Sequence, residues 1–235
     1  MKPILLISAL TVAMGSSFAA SAADVNGDKG QSSKILNVTG AIGAPTCRFD
    51  MNGGQAVVFD KIAPSQLSMH QVTAGDISSS AGEFSVECDA KTLVRMQLKD
   101  TYAGELRKDS KYKVLFSGVH GIEAQFGLVD KNRPDTLIGS YIIMPTKITA
   151  TDDDNKPVSH GLHLQGGNAI PVFYSANPSN DQLYTLVIGN SNGHPSKTIN
   201  IEFNIKPNFL PKTNWFTEGN DVEIVGETTF SMVYL

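Results

Sequence analysis

Residues 221–235 read DVEIVGETTFSMVYL, and the alternation in that run constrains the fold more than any other stretch. Ile224, Gly226, Thr228, Phe230, Met232 and Tyr234 fall on one face at period two, while Val225, Glu227, Thr229, Ser231 and Val233 fall on the other. Successive side chains of a β-strand point to opposite faces, so the pattern predicts one strand with one buried face. The run reaches the last residue of the sequence. An apolar strand left at a sheet edge is a template for pairing with another chain.

The opposite end carries the marks of export. Lys2 supplies a positive charge, residues 4–14 are mostly apolar, and Ala20, Ser21 and Ala22 have the small-x-small form of a cleavage site. These features predict a signal peptide over residues 1–23, cut after Ala22 or Ala23. The other reading is a retained N-terminal anchor, but the apolar run is far short of the ~20 residues a spanning helix needs. No later segment is apolar for long enough to span, so no transmembrane segment is expected after cleavage. Residues 24–34 offer only Val25 as an apolar side chain and are expected to be a flexible N-terminal extension. Residues 35–235 are expected to form a single elaborated β domain in an exported, periplasmic or surface-located protein.

Charged residues are scarce, at 18 % against about a quarter in ordinary globular chains. The net charge is −4 and no Lys/Arg run occurs, which argues against nucleic acid as a partner. The two cysteines, Cys47 and Cys88, form an even count in an oxidising compartment and suggest a disulfide. Two buried free thiols are the alternative. A metal site is disfavoured, since no His or further Cys stands at ligand spacing near either.

Strand signals recur along the chain. Leu36, Val38, Gly40 and Ile42 alternate toward Cys47; Phe84, Val86 and Cys88 alternate, as do Val94, Met96 and Leu98, and then Ile199, Ile201, Phe203 and Ile205. Apolar runs at 56–59, 112–116, 122–129, 137–144 and 183–188 are further candidates. Pro207 is expected to close the strand before it. Residues 63–71 are the best candidate for a turn of helix, and 151–168 reads as an exposed polar loop. Many short strands separated by Gly, Asn, Pro and Ser predict an all-β sandwich.

The chemistry-bearing residues form no recognisable constellation. His160 and His163 are three apart, which suits metal binding only on a helix, and Gly161, Gly166 and Gly167 argue against one. Asp152, Asp153 and Asp154 read as a solvated acidic turn rather than a calcium site. The run from Asp130 to Asp135 lacks the glycine and distal glutamate of a calcium loop, and Tyr141 stands where the glutamate belongs. His70, His120 and His194 are isolated, and no G-x-S-x-G elbow occurs. Catalysis, cofactors and metals are therefore not expected.

Three features together resemble the subunits of chaperone–usher fimbriae: a signal peptide followed by VTGAIGAPTC, a second cysteine in EFSVECDA, and an alternating terminal strand with a penultimate tyrosine. The middle, AQFGLVDKNRPDTLIGSYIIMP, resembles a longer family of uncharacterised proteins associated with enterobacterial fimbrial gene clusters. The resemblance implies an immunoglobulin-like (pilin-type) β-sandwich lacking its final strand, with a groove filled by donor-strand complementation. It implies as partners a periplasmic fimbrial chaperone, an outer-membrane usher and neighbouring pilus subunits. The groove-lining role would fall to Ile224, Gly226, Thr228, Phe230, Met232 and Tyr234, and the disulfide to Cys47 and Cys88. The chain departs from the family in two places. Val222 stands where pilins commonly carry a glycine, and the extension at 24–34 lacks the apolar side chains a donor strand needs. The chain is better equipped to accept a strand than to donate one. The rival is a self-complete secreted or periplasmic binding protein that does not polymerise.

Overall fold

A computed structural model describes residues 45–51, 62–74, 81–108, 121–152, 155–157, 161–175, 184–216 and 222–234. The signal peptide and N-terminal extension expected from the sequence, the alternation at 36–42 and the strands expected at 56–59 and 112–116 lie outside these residues.

Eleven strands are described: β1 (Cys47–Asp50), β2 (Thr73–Ala74), β3 (Gly82–Thr92), β4 (Val94–Asp100), β5 (Phe126–Asp130), β6 (Arg133–Thr151), β7 (Leu162–Leu164), β8 (Leu186–Ile188), β9 (Ser196–Phe209), β10 (Ile224–Val225) and β11 (Thr228–Tyr234). One short helix, α1 (Ala103–Arg107), follows β4. The strands form two antiparallel sheets. The larger runs β1-β3-β9-β6-β5-β10, with β2 also paired to β9, and the smaller runs β11-β4-β8-β7. The all-β expectation holds.

Period-two alternation explains the shared core. Phe84, Val86 and Cys88 from β3, Val94, Met96 and Leu98 from β4, and Ile199, Ile201 and Phe203 from β9 all join one buried cluster. Fully burying a side chain of this size contributes roughly 1.5–3 kcal/mol. Strand β6 departs from alternation over 137–143, where every residue is buried. Ile138, Tyr141 and Ile143 join the main core, whereas Ile142 packs on Ala124 and Val172 in a second small cluster. Cover on both faces is what a continuous apolar run requires.

Three expectations need correction. Pro207 does not close β9, which continues to Phe209 with Pro207 opposite Tyr141. Pairing with β3 ends at Phe203 and pairing with β2 starts at Asn208, so the proline sits in a gap on that flank, where a missing N–H is tolerated. The stretch 151–168 is not all loop, because Leu162 is buried in the core and β7 pairs with β8 there. The terminal strand is two strands. Residues β10 pair with β5, and only after Gly226 and Glu227 does the chain join β4 as β11. In the region 63–71 a single 3-10 turn forms over Pro64–Gln66.

Candidate strand-accepting groove

The terminal segment crosses between the sheets at a crowded point. Ile224 stands opposite Asp130 and Val225 opposite Val129. Lys131 N–H donates to the Glu223 carbonyl at 2.7 Å, and the Lys131 and Glu223 side chains pair at 2.6 Å. A Cβ on Gly226 would lie 2.5 Å from Tyr141 Cε1, 2.9 Å from Leu128 Cδ2 and 3.1 Å from the Gly127 carbonyl oxygen. Only a residue without a side chain passes there unstrained.

Polar contacts fix the far side of the crossing. Thr101 N–H donates to the Glu227 carbonyl at 3.0 Å, and the Tyr141 and Thr228 hydroxyls share a hydrogen bond of 2.6 Å. Burial pushes the Tyr141 hydroxyl well above the ordinary tyrosine range, against the opposing pull of its Thr228 bond. The buried Asp100 carboxylate accepts from Gly127 N–H at 2.8 Å and Tyr102 N–H at 3.0 Å, tying β4 to β5 across the two sheets.

Beyond the crossing, β11 pairs with β4 from Thr228 opposite Asp100 to Tyr234 opposite Val94. Its other flank has no paired strand among the described residues, and the same is true of the outer flank of β1. Thr228, Phe230 and Met232 are half-buried, while Thr229, Ser231 and Val233 are exposed. Phe230 and Met232 pack against the core without being sealed in it.

Phenylalanines join the two sheet edges. The ring of Phe84, fully buried on β3, lies 5.7 Å from Phe49 on β1 and 5.6 Å from Phe230 on β11. Phe230 also meets Phe173 at 6.1 Å and Phe203 at 6.3 Å. Phe49 remains 37 % exposed although its partner Phe84 is buried. Two partly covered aromatic side chains thus flank a buried one, between one edge of each sheet.

The disulfide anchors β1. Cys47 and Cys88 are direct register partners and are bonded, as the sequence suggested. Beside them the Asp89 carboxylate accepts from Thr46 N–H at 3.0 Å and from the Thr46 hydroxyl at 2.9 Å, which holds its carboxyl below the usual range.

Of the residues expected to line a groove, Thr228, Phe230, Met232 and Tyr234 lie on β11. Ile224 and Gly226 lie on the segment that adjoins β5 and the crossing. Phe49, Phe84 and Phe173 were not anticipated as their neighbours. The C-x-F spacing of Cys47 and Phe49 places both on one strand face and was the available signal for Phe49.

The other candidates stay apart. Asp130 is buried and closes the β5–β6 turn by accepting from Asn132 N–H at 3.0 Å and Arg133 Nε at 2.8 Å. Asp152 caps a turn by accepting from Lys156 N–H at 2.8 Å. His70 is exposed, His194 lies beside its neighbouring Pro195 carbonyl, and His163 is on β7. His120, His160, Asp153 and Asp154 are outside the described residues. Among the described residues no group of three or more His, Cys, Asp or Glu gathers to hold a metal ion. No described helix is long and apolar enough to cross a membrane. No protein-family model matches the chain, and comparison with curated proteins and with solved structures finds no match.

Proposed function

We propose that this chain is a strand-accepting β protein: the free flank of β11 takes an extended strand from a partner. More particularly, it acts as a non-catalytic fimbrial (pilus) subunit or fimbria-associated protein. A periplasmic chaperone supplies the first strand, and a neighbouring subunit replaces it at the outer-membrane usher. The observation that carries the reading is the terminal strand itself. It is paired on one side only among the described residues, and its inward side chains Phe230 and Met232 are only half covered. An added strand would satisfy the main-chain groups along that flank, and its alternating apolar side chains would cover Phe230, Met232 and Phe49. Main-chain bonding supplies affinity in such pairing and side-chain pockets supply specificity. The Cys47–Cys88 bridge supports the reading, because disulfides persist in the oxidising compartments such assembly requires.

The test uses the purified mature protein and a synthetic peptide of alternating apolar residues. Peptide at a hundredfold excess over its dissociation constant should stabilise the fold by about 2.7 kcal/mol and protect the β11 amides from hydrogen exchange. If the β11 amides are already fully protected and neither peptide nor chaperone shifts the melting point, the reading is wrong.

A further inference from the structure

The two halves of the Cys47–Cys88 bridge are buried unequally. Cys88 is 2 % exposed and belongs to the core cluster with Phe84 and Val86, whereas Cys47 is half-buried on the edge strand β1. An open cavity of about 330 Å³ lies against the bridge, lined by Thr46, Cys47, Arg48, Glu87, Cys88 and Asp89. That volume is at the lower end of the range for small-molecule sites. Among the described residues β1 pairs with β3 alone, over the four positions Cys47 to Asp50. Its other ties are slight: Phe49 meets Phe84 but stays 37 % exposed, and the Thr46 bonds to Asp89 are exposed to solvent. The disulfide is the one covalent hold on this strand from across the ladder.

The charged groups of the cavity lean negative. Asp89 is kept ionised by its Thr46 bonds, Glu87 is exposed, and the Arg48 guanidinium already meets Asp50 at 3.2 Å. A thiolate that also carries an ammonium group approaches such a rim more readily than one carrying a second negative charge. Access and leaving-group quality pull in opposite directions at this bridge. The Cys88 thiolate is the poorer leaving group, since apolar surroundings disfavour its charge. Access decides the matter, because attack needs an open approach to the sulfur and the buried Cys88 offers far less of one than Cys47.

We infer that the bridge is a reducible latch on β1 with a single point of entry, Cys47 Sγ, and that it takes cationic thiols in preference to anionic ones. The external thiolate forms a new S–S bond to Cys47, the Cys47–Cys88 bond breaks, and its electron pair leaves with Cys88 as the thiolate. A second thiol then attacks the sulfur of the first and releases Cys47. Two external thiols become one disulfide, and the bridge becomes two thiols. Until that second step, the Cys88 thiolate is held beside Cys47 and recloses on it, so a single exchange is reversible. Once both cysteines are reduced, β1 keeps only its ladder bonds and slight side-chain contacts and comes away from β3. The latch is independent of strand acceptance.

The experiment treats the oxidised mature protein at low salt with cysteamine or thioglycolate, quenches in acid and maps the mixed disulfide by peptide mass spectrometry. The added thiol should be found on Cys47 with Cys88 free, and in urea it should be found on both. A mixed disulfide on Cys88 in the folded protein, or a preference for Cys47 that persists in urea, overturns the assignment. The ratio of the cysteamine rate to the thioglycolate rate should fall about twofold or more in Glu87→Gln, a comparison in which the intrinsic reactivities of the two thiols cancel. An unchanged ratio removes the charge preference. After full reduction by dithiothreitol and alkylation, the Arg48 and Phe49 amides should exchange faster while that of Ile201 on β9 keeps its protection. Unaltered exchange at β1, or loss of protection across both sheets, shows that the bridge is not a latch on this strand.

Discussion

The Phe84 and Phe230 rings meet at 5.6 Å, one from the larger sheet and one from the terminal strand of the smaller. An aromatic pair of this kind is worth about 0.5–1.5 kcal/mol beyond the area it buries. Phe230 also meets two further core rings, those of Phe173 and Phe203. Because it is only half-buried, Phe230→Ala should cost about 2–3 kcal/mol, below the 3–5 typical of a sealed phenylalanine. Val233→Ser, on the exposed face of the same strand, should stay within about 0.5 kcal/mol. Urea denaturation of the two variants checks the contrast, and equal losses would mean β11 is not oriented as described.

Cys47 and Cys88 close a loop with a sequence separation of 41. On the chain-entropy model that constraint is worth about 4 kcal/mol. The double variant Cys47→Ser, Cys88→Ser should lose stability of that order, read as a lower urea midpoint. A midpoint unchanged from the oxidised protein would show that the bridge does not constrain the unfolded chain.

Gly226→Ala places a methyl group against Tyr141, Leu128 and the Gly127 carbonyl. Overpacking of this kind costs about 1–3 kcal/mol. The strain should be relieved by detaching β10, so amides at Lys131 and Val129 should exchange faster than in the parent while those of β3 do not. Uniform exchange across both sheets would contradict this local origin.

Tyr141 sets an alkaline limit. Its folded hydroxyl titrates above the unfolded value of about 10, mainly through burial. Above pH ~10 the unfolded chain releases this proton while the native chain keeps it, so the native state binds more protons and stability falls as pH rises. Below that pH the contribution is complete and flat. The expected slope is at most about 1.4 kcal/mol per pH unit, and Tyr141→Phe should remove it while losing about 1 kcal/mol through the broken Thr228 bond. Stability curves at pH 9, 10 and 11 for both proteins decide the point.

The buried Asp100 carboxylate joins β4 to β5 through Gly127 N–H. Asp100→Ala leaves buried donors unpaired and should cost about 2–3 kcal/mol. Gly127 should lose its hydrogen-exchange protection in that variant; if it keeps it, the carboxylate is not what holds that amide.

Period-two burial is a local property, so the sequence alone determined which residues of β3, β4, β9 and β11 face the core. Phe84, Met96, Ile201 and Phe230 could be placed by counting, and Cys47 and Cys88 could be paired by their number. What depends on distant partners had no local signature. Gly226 alternates as well as its neighbours, yet the approach of Tyr141 and Leu128 makes it the point where the chain changes sheets. Pro207 reads as a strand stop, yet a gap between two partner strands tolerates it. His163 reads as loop, yet pairing with Val187 places it on β7 of the smaller sheet. Tertiary structure decided these because long-range pairing chooses which flank of a strand meets a neighbour, and that choice leaves the order of residues along the strand unchanged.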